Sequence, residues 1–228
     1  MEESMLPTLK DQPFGYLNLS AECEPWLRKQ GFLDRPVSPV YENPALCQQM
    51  VDWCHRRLDI AWSYGGWFEW RDRLWKGGYQ AATNSFLHLG MDVNAPAGTP
   101  VCVDRRARVV MTGHDPSKGG WGSYVLVEIE GGPVGLIYAH LDPALECKEY
   151  DVLVPGNILG KIGTPDVNGH WFSHLHVQTV IANRTERGGR LYRYPSPKDE
   201  GFDGYGRAED MEELAVGHPD PMLYISFF

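Results

Sequence analysis

The chain has 228 residues, 43% of them hydrophobic, enough to bury one sizeable core without disulfide or metal staples. Its formal net charge of −9 excludes the basic surface that a nucleic-acid partner needs and disfavours adhesion to polyanionic surfaces. Five cysteines, Cys23, Cys47, Cys54, Cys102 and Cys147, are odd in number and form no CxxC, so reduced, partly buried thiols are expected rather than a disulfide framework.

The chain starts MEESMLPTLKDQ, with neither a basic opening nor an apolar run, so as written it reads as carrying no secretory leader. No apolar stretch reaches the roughly 18 residues of a membrane helix. A cytoplasmic location is the expectation, replaced by a periplasmic or extracellular one if the chain is a trimmed mature form. Residues 1–43 are broken by Pro7, Pro13, Pro25, Pro36 and Pro39 and read as a wrapping arm. A helix is predicted next. Asn43 is a capping residue type, Pro44 suits the first helical position, and Leu46, Met50, Trp53, Cys54 and Leu58 recur at helical spacing. Residues 60–80 hold Trp62, Tyr64, Trp67, Phe68, Trp70, Trp75 and Tyr79. They are read as packing the helix onto a sheet, with the lining of a groove as the alternative.

From residue 84 to 182 apolar runs alternate with Gly, Pro, Asn and Asp. Strands are predicted over 99–103, 107–112, 123–130, 134–140, 157–162 and 174–181, with Gly131-Gly132-Pro133 joining YVLVEIE to VGLIYAH as a hairpin. No helical period interrupts them, so the fold class is mainly β and mostly antiparallel. Residues 183–218 are polar and read as a surface excursion with one short helix near 208–215. The ending, DPMLYISFF, is apolar enough to dock on the core. The expected organisation is therefore an arm and helix over 1–83, a core over 84–182, and an excursion with a docking segment over 183–228.

Three pieces carry chemistry: His88-Leu-Gly-Met-Asp92, Tyr138-Ala-His140-Leu141 and His174-Leu175-His176. A strand alternates faces with period two, so His174 and His176 project to one side while Leu175 points into packing. His88 and Asp92 are four apart and also share a side in extended chain, although Gly90 permits a bend. Imidazole nitrogens with one carboxylate suit Zn²⁺, and three protein ligands leave a position where water binds and is acidified. The other histidines are weaker candidates: His55 reads as solvent-facing, His114 as a loop residue, His218 as part of a turn, and His170 as bordering the site.

These residues resemble the M23 metallopeptidases of the lysostaphin and LytM type. The resemblance rests on HLGMDVNAPAGTPV at 88–101, GGWGSYVLVEI before the hairpin, YAHL at 138–141, the Gly156–Gly160 turn with Lys161-Ile-Gly163, HLHVQ from 174, and DPMLYI near the end. It covers residues 84 to 182 and the C-terminal segment. It implies one Zn²⁺ held by His88, Asp92 and His176, with His140 and His174 handling protons and stabilising the transition state. It also implies an antiparallel barrel-sandwich scaffold of the duplicated hybrid motif type, crossed by a groove. The activity implied is that of a zinc metalloendopeptidase, and the partner a peptide substrate such as a peptidoglycan stem or cross-bridge. Two departures stand out: Gln178 occupies a place where the family commonly has Glu, and Trp171-Phe-Ser before HLH is bulkier than usual. The alternatives are a zinc peptidase or amidase acting on an intracellular, non-wall peptide, and a non-enzymatic binding or regulatory module.

Overall fold

The computed structural model describes residues 4–184, 192–196 and 202–227. In chain order its strands are β1 (Phe14–Tyr16), β2 (Trp62–Gly65), β3 (Leu87–His88), β4 (Met91–Asn94), β5 (Pro100–Cys102), β6 (Ala107–Asp115) and β7 (Gly122–Ile129). They continue with β8 (Val134–Leu141), β9 (Val152–Leu153), β10 (Ile158–Lys161), β11 (Leu175–Ile181), β12 (Asn183–Arg184), β13 (Tyr192–Arg193) and β14 (Tyr205–Gly206). Eight strands form one sheet in the order β1-β2-β4-β11-β8-β7-β6-β9, and three small pairs, β10-β5, β12-β13 and β14-β3, flank it.

The barrel-sandwich scaffold expected from the resemblance does not form among the described residues. The large sheet is mixed, because β1 runs parallel to β2 while the other neighbours are antiparallel. It is also open: its edges, β1 and β9, are not paired with each other. The cause lies in the N-terminal segment. There β2 pairs with β4 and β1 adds outside β2, with Phe14 stacked on Trp62 at 4.5 Å between ring centres. The sheet therefore grows sideways past β4 instead of curling back on itself. Its edges are short, three and two residues, which limits further edge pairing.

The six strands predicted between 99 and 181 all form within a few residues of their expected ends, and the β7–β8 hairpin turns at 131–133. The first helical element is different. The proline-broken arm contains α1 (Leu19–Gln30), begun by the Asn18 side chain accepting from the Ala21 N–H at 2.8 Å and ended by Gly31 at φ 73°. Pro25 removes one helical hydrogen bond, yet Leu19, Cys23, Trp26 and Leu27 bury one face, and that packing outweighs propensity. After α2 (Pro39–Glu42) comes α3 (Pro44–Leu58), capped as predicted by Asn43 through the Ala45 N–H at 2.9 Å. Its buried stripe is Cys47, Met50, Val51 and Cys54, rotated from the expected one, and Leu58 is exposed.

Two apolar clusters matter for the site. One lies under the sheet and includes Met91, Val93, Val125, Val127, Leu136, Tyr138, Val177, Ile225 and Phe227. The other ties α1 and α3 to Leu74, Trp75, Trp171, Phe172 and Tyr205. The aromatic run 62–79 divides between tasks: Trp62 joins the first cluster, while Trp75 and Tyr79 line the cavity described below. A short helix, α4 (Met211–Gly217), stands near the one expected at 208–215. Within the expected excursion, residues 185–191 and 197–201 lie outside the described residues.

Candidate metal centre

The sheet brings the motifs together by register. Asp92 on β4 lies opposite His176 on β11 and, on its other side, opposite Gly65 on β2. His88 ends β3 and reaches the same place across the bend at Gly90. A Cβ at Gly90 would stand 2.3 Å from His176 Nε2 and 2.8 Å from the Val177 carbonyl, so the glycine of this motif is required by the imidazole packed on it. His140 sits at the end of β8 with φ 66°, in the left-handed region that costs a non-glycine residue about 1–3 kcal/mol. Hydrogen bonds hold it there: its N–H donates to the Trp121 carbonyl, and its own carbonyl accepts from the Gly163 N–H, both at 2.8 Å.

Three donor atoms converge. His88 Nε2 lies 3.0 Å from His176 Nδ1 and 3.4 Å from Asp92 Oδ1, and His176 Nδ1 lies 3.1 Å from the same oxygen. A tetrahedral zinc about 2.0–2.1 Å from each donor would set such atoms about 3.3–3.4 Å apart, so the set fits the ion closely. Each imidazole is also turned to offer the correct nitrogen. His88 Nδ1–H donates to the Gly66 carbonyl at 2.9 Å, which leaves Nε2 with its lone pair. His176 Nε2–H donates to Gln178 Oε1 at 3.1 Å, which leaves Nδ1. Gln178 thus does for His176 what a carboxylate would do, without adding charge.

His140 and His174 stand beside this triad, their rings 4.5 Å apart. His140 Nδ1–H donates to the Asn168 carbonyl and His174 Nδ1–H to the Phe172 carbonyl, each at 2.9 Å, so both retain a bare Nε2. Burial pushes His88, His140 and His174 below the ordinary imidazole range, which keeps them neutral. For Asp92 burial alone would raise the pKa. The Arg71 guanidinium bonded to its Oδ2 overrides that and holds the carboxyl well below the usual range.

A cavity of about 20 Å³ opens onto these residues, walled by Trp75, Tyr79, Trp121, Trp171 and Tyr205. That is room for a water, which needs about 10–15 Å³. Aromatic side chains line this space, where the resemblance implies a groove. Tyr79 closes one side, since a Cβ on Gly119 would come within 2.9 Å of its ring.

The remaining sequence candidates separate. His170 is exposed and lies off the cavity lining, and His114 bonds Ser123 Oγ at 2.9 Å. His55, expected in solvent, is half-buried with Nε2 2.8 Å from Ser63 Oγ. His218, expected in a turn, is buried with Nδ1 3.2 Å from Gln178 Nε2, so it backs the residue that orients His176. Sequence reasoning missed Gly66, Glu69 and Arg71. Arg71 is buried, and its Nη1–H donates to Asp92 Oδ2 at 2.7 Å. The available signal was a glutamate and an arginine two apart inside the aromatic-rich run WFEWRDRLW.

Two imidazoles and a carboxylate at these separations, with two more neutral imidazoles alongside, make a candidate site for one metal ion of the kind hydrolases use. Residues 86–187 match Peptidase family M23, and this part of the chain belongs to that family. Among solved structures, the catalytic domain of the antimicrobial peptidase lysostaphin from Staphylococcus simulans is 24% identical, over 49% of this chain and 78% of that one, with a TM-score of 0.37. A zinc containing peptidase from Vibrio cholerae is 24% identical, over 42% of this chain and 28% of that one, also at 0.37. A peptidase M23 structure from Pseudomonas aeruginosa is 26% identical, over 41% of this chain and 38% of that one, at 0.36. No curated protein matches the chain. No helix among the described residues is long and apolar enough to cross a membrane.

Proposed function

We propose that the chain is a zinc-dependent peptidase in which His88, Asp92 and His176 hold the ion and His140 and His174 move protons. In this reading residues 84–182 form the catalytic core, 1–83 are an arm and helix packing on it, and 183–228 are a surface excursion with a C-terminal docking segment. The observation that carries the proposal is the convergence of three correctly oriented donors at tetrahedral spacing, next to two bare imidazole nitrogens and space for a water. A zinc ion there supplies Lewis acidity toward a carbonyl oxygen and lowers the pKa of a water.

The chain's own residues supply the rest. His140 or His174 takes a proton from the attacking water at Nε2, and the Nδ1–H···O=C bond to Asn168 or Phe172 steadies the imidazolium that results. The protonated Nε2 then donates to the leaving amine.

Peptidoglycan-type peptides are the proposed substrates, supported by the match to Peptidase family M23. The test is a panel of stem and cross-bridge muropeptides beside ordinary peptides, with and without a zinc chelator. Chelator-sensitive cleavage of the muropeptides is expected. Cleavage of ordinary peptides alone would move the substrate off the wall, and no cleavage by fully zinc-loaded protein would contradict the enzyme reading.

A further inference from the structure

The donors of the centre come from residues 88–176, but what fixes the carboxylate comes from elsewhere. Arg71 lies between β2 and β3, outside residues 86–187, and is only 1% exposed. Its guanidinium takes Asp92 Oδ2, while Asp92 Oδ1 faces His88, His174 and His176 at 3.4, 3.6 and 3.1 Å. The two carboxylate oxygens are therefore given separate tasks. Behind Arg71, its Nε lies 3.4 Å from Glu69 Oε1, and that oxygen accepts the Ser20 N–H at 2.7 Å in the first turn of α1.

The space for the guanidinium is made by a missing side chain. A Cβ at Gly66, where φ is +100°, would stand 2.3 Å from Arg71 Nη2 and 3.0 Å from His88 Nδ1. The same glycine orients His88 through its carbonyl. Backbone bonds fix the strap that carries these groups: the Arg71 N–H donates to the Phe86 carbonyl at 2.9 Å, and the His88 N–H donates to the Glu69 carbonyl at 3.0 Å.

We infer that Arg71, backed by Glu69, is a positioning residue for the metal centre. It pins the Asp92 carboxylate so that only Oδ1 is offered to the ion, and it offsets part of the carboxylate's charge. The N-terminal segment is thereby part of the centre rather than an attachment to it. This rests on the reading that His88, Asp92 and His176 hold zinc, and it adds a residue that touches neither ion nor substrate. Arginine suits the task because its planar fork holds a carboxylate oxygen in a fixed direction, which a lysine point charge does not.

The test compares full-length wild type with Arg71→Gln and Arg71→Lys. Zinc affinity is measured by chelator competition, the visible spectrum is read after cobalt loading, and folding of the metal-free proteins is followed by circular dichroism and thermal melting. The expected result for folded Arg71→Gln is a zinc dissociation constant raised about 10–100-fold. Its cobalt bands should also change as Oδ2 becomes free to coordinate. Arg71→Lys should recover part of the affinity while its cobalt bands stay altered. Unchanged affinity and an unchanged cobalt spectrum in folded Arg71→Gln would overturn the inference. If that variant does not fold, Glu69→Gln carries the test, because the amide keeps an oxygen for the Ser20 N–H and loses the charge behind Arg71. A smaller rise in the same constant then supports the inference, and no change in constant or spectrum overturns it. A wild type that binds no zinc would instead sink the proposed function beneath it.

Discussion

Residues 86–187 and residues 62–79 meet at one cavity and do different work there. The first segment supplies the three converging donors and both flanking imidazoles. The second supplies the Gly66 carbonyl that orients His88, the Arg71 guanidinium that holds Asp92, and two walls, Trp75 and Tyr79. The proposed reacting groups are concentrated in short motifs whose spacing follows strand geometry. Their supports are single residues brought in by tertiary contact, and nothing local ties Arg71 to Asp92 twenty-one positions away.

Substitutions in the two segments should have effects of different size. The largest effect belongs to a donor: His176→Ala should remove both bound zinc and turnover to background, read by metal analysis alongside a hydrolysis assay. Full zinc and full rate in that variant would detach His176 from the centre. Next come the flanking imidazoles. His140→Ala and His174→Ala should keep zinc and lose about 10²–10⁴-fold in kcat, the usual contribution of a positioned acid or base. Equal loss of metal and rate would make either one a ligand.

A smaller effect should come from the supporting side. Gly66→Ala inserts a methyl group against Arg71 and His88, and overpacking of this kind costs about 1–3 kcal/mol. Urea unfolding should show that loss, with weakened zinc binding although residue 66 touches no ion through its side chain. An unperturbed variant would show that the strap tolerates movement and that the centre does not depend on it.

The mildest prediction concerns pH. His88, His140 and His174 titrate below the ordinary 6.5 in the folded chain because burial disfavours their charge. Once pH drops below about 6.5 the unfolded chain binds more protons than the folded one, so metal-free protein should lose stability with acidification. Asp92, depressed in the folded state, contributes stability above the ordinary 3.8 that is lost as pH falls through its lowered value. Calorimetric melting of the metal-free protein between pH 7.5 and 5 should show a falling Tm. A flat or rising profile would mean that these imidazoles are charged when folded.

Much of the site was legible because its motifs obey simple periods. HLH places two imidazoles on one side, HLGMD turns on a glycine that His176 requires, and the hairpin at 131–133 fixes the strand bearing His140. Strands β6, β7, β8 and β11 of the central sheet were legible for the same reason, whereas β4 and β9 were not. The helix at 19–30 was hidden by Pro25, whose cost is met by packing that no local pattern announces. The open, mixed sheet was hidden because closure depends on whether β1 and β2 add at the edge, and those strands are only three and four residues long. Arg71 and Glu69 were hidden among seven aromatic residues that drew attention to packing.

The most direct measurement is an anomalous difference map, recorded at the zinc absorption edge from crystals of the full chain grown with zinc. The account predicts one peak about 2 Å from His88 Nε2, Asp92 Oδ1 and His176 Nδ1, with Asp92 Oδ2 still on Arg71. A peak elsewhere, or none at this cluster in zinc-soaked crystals, would contradict it.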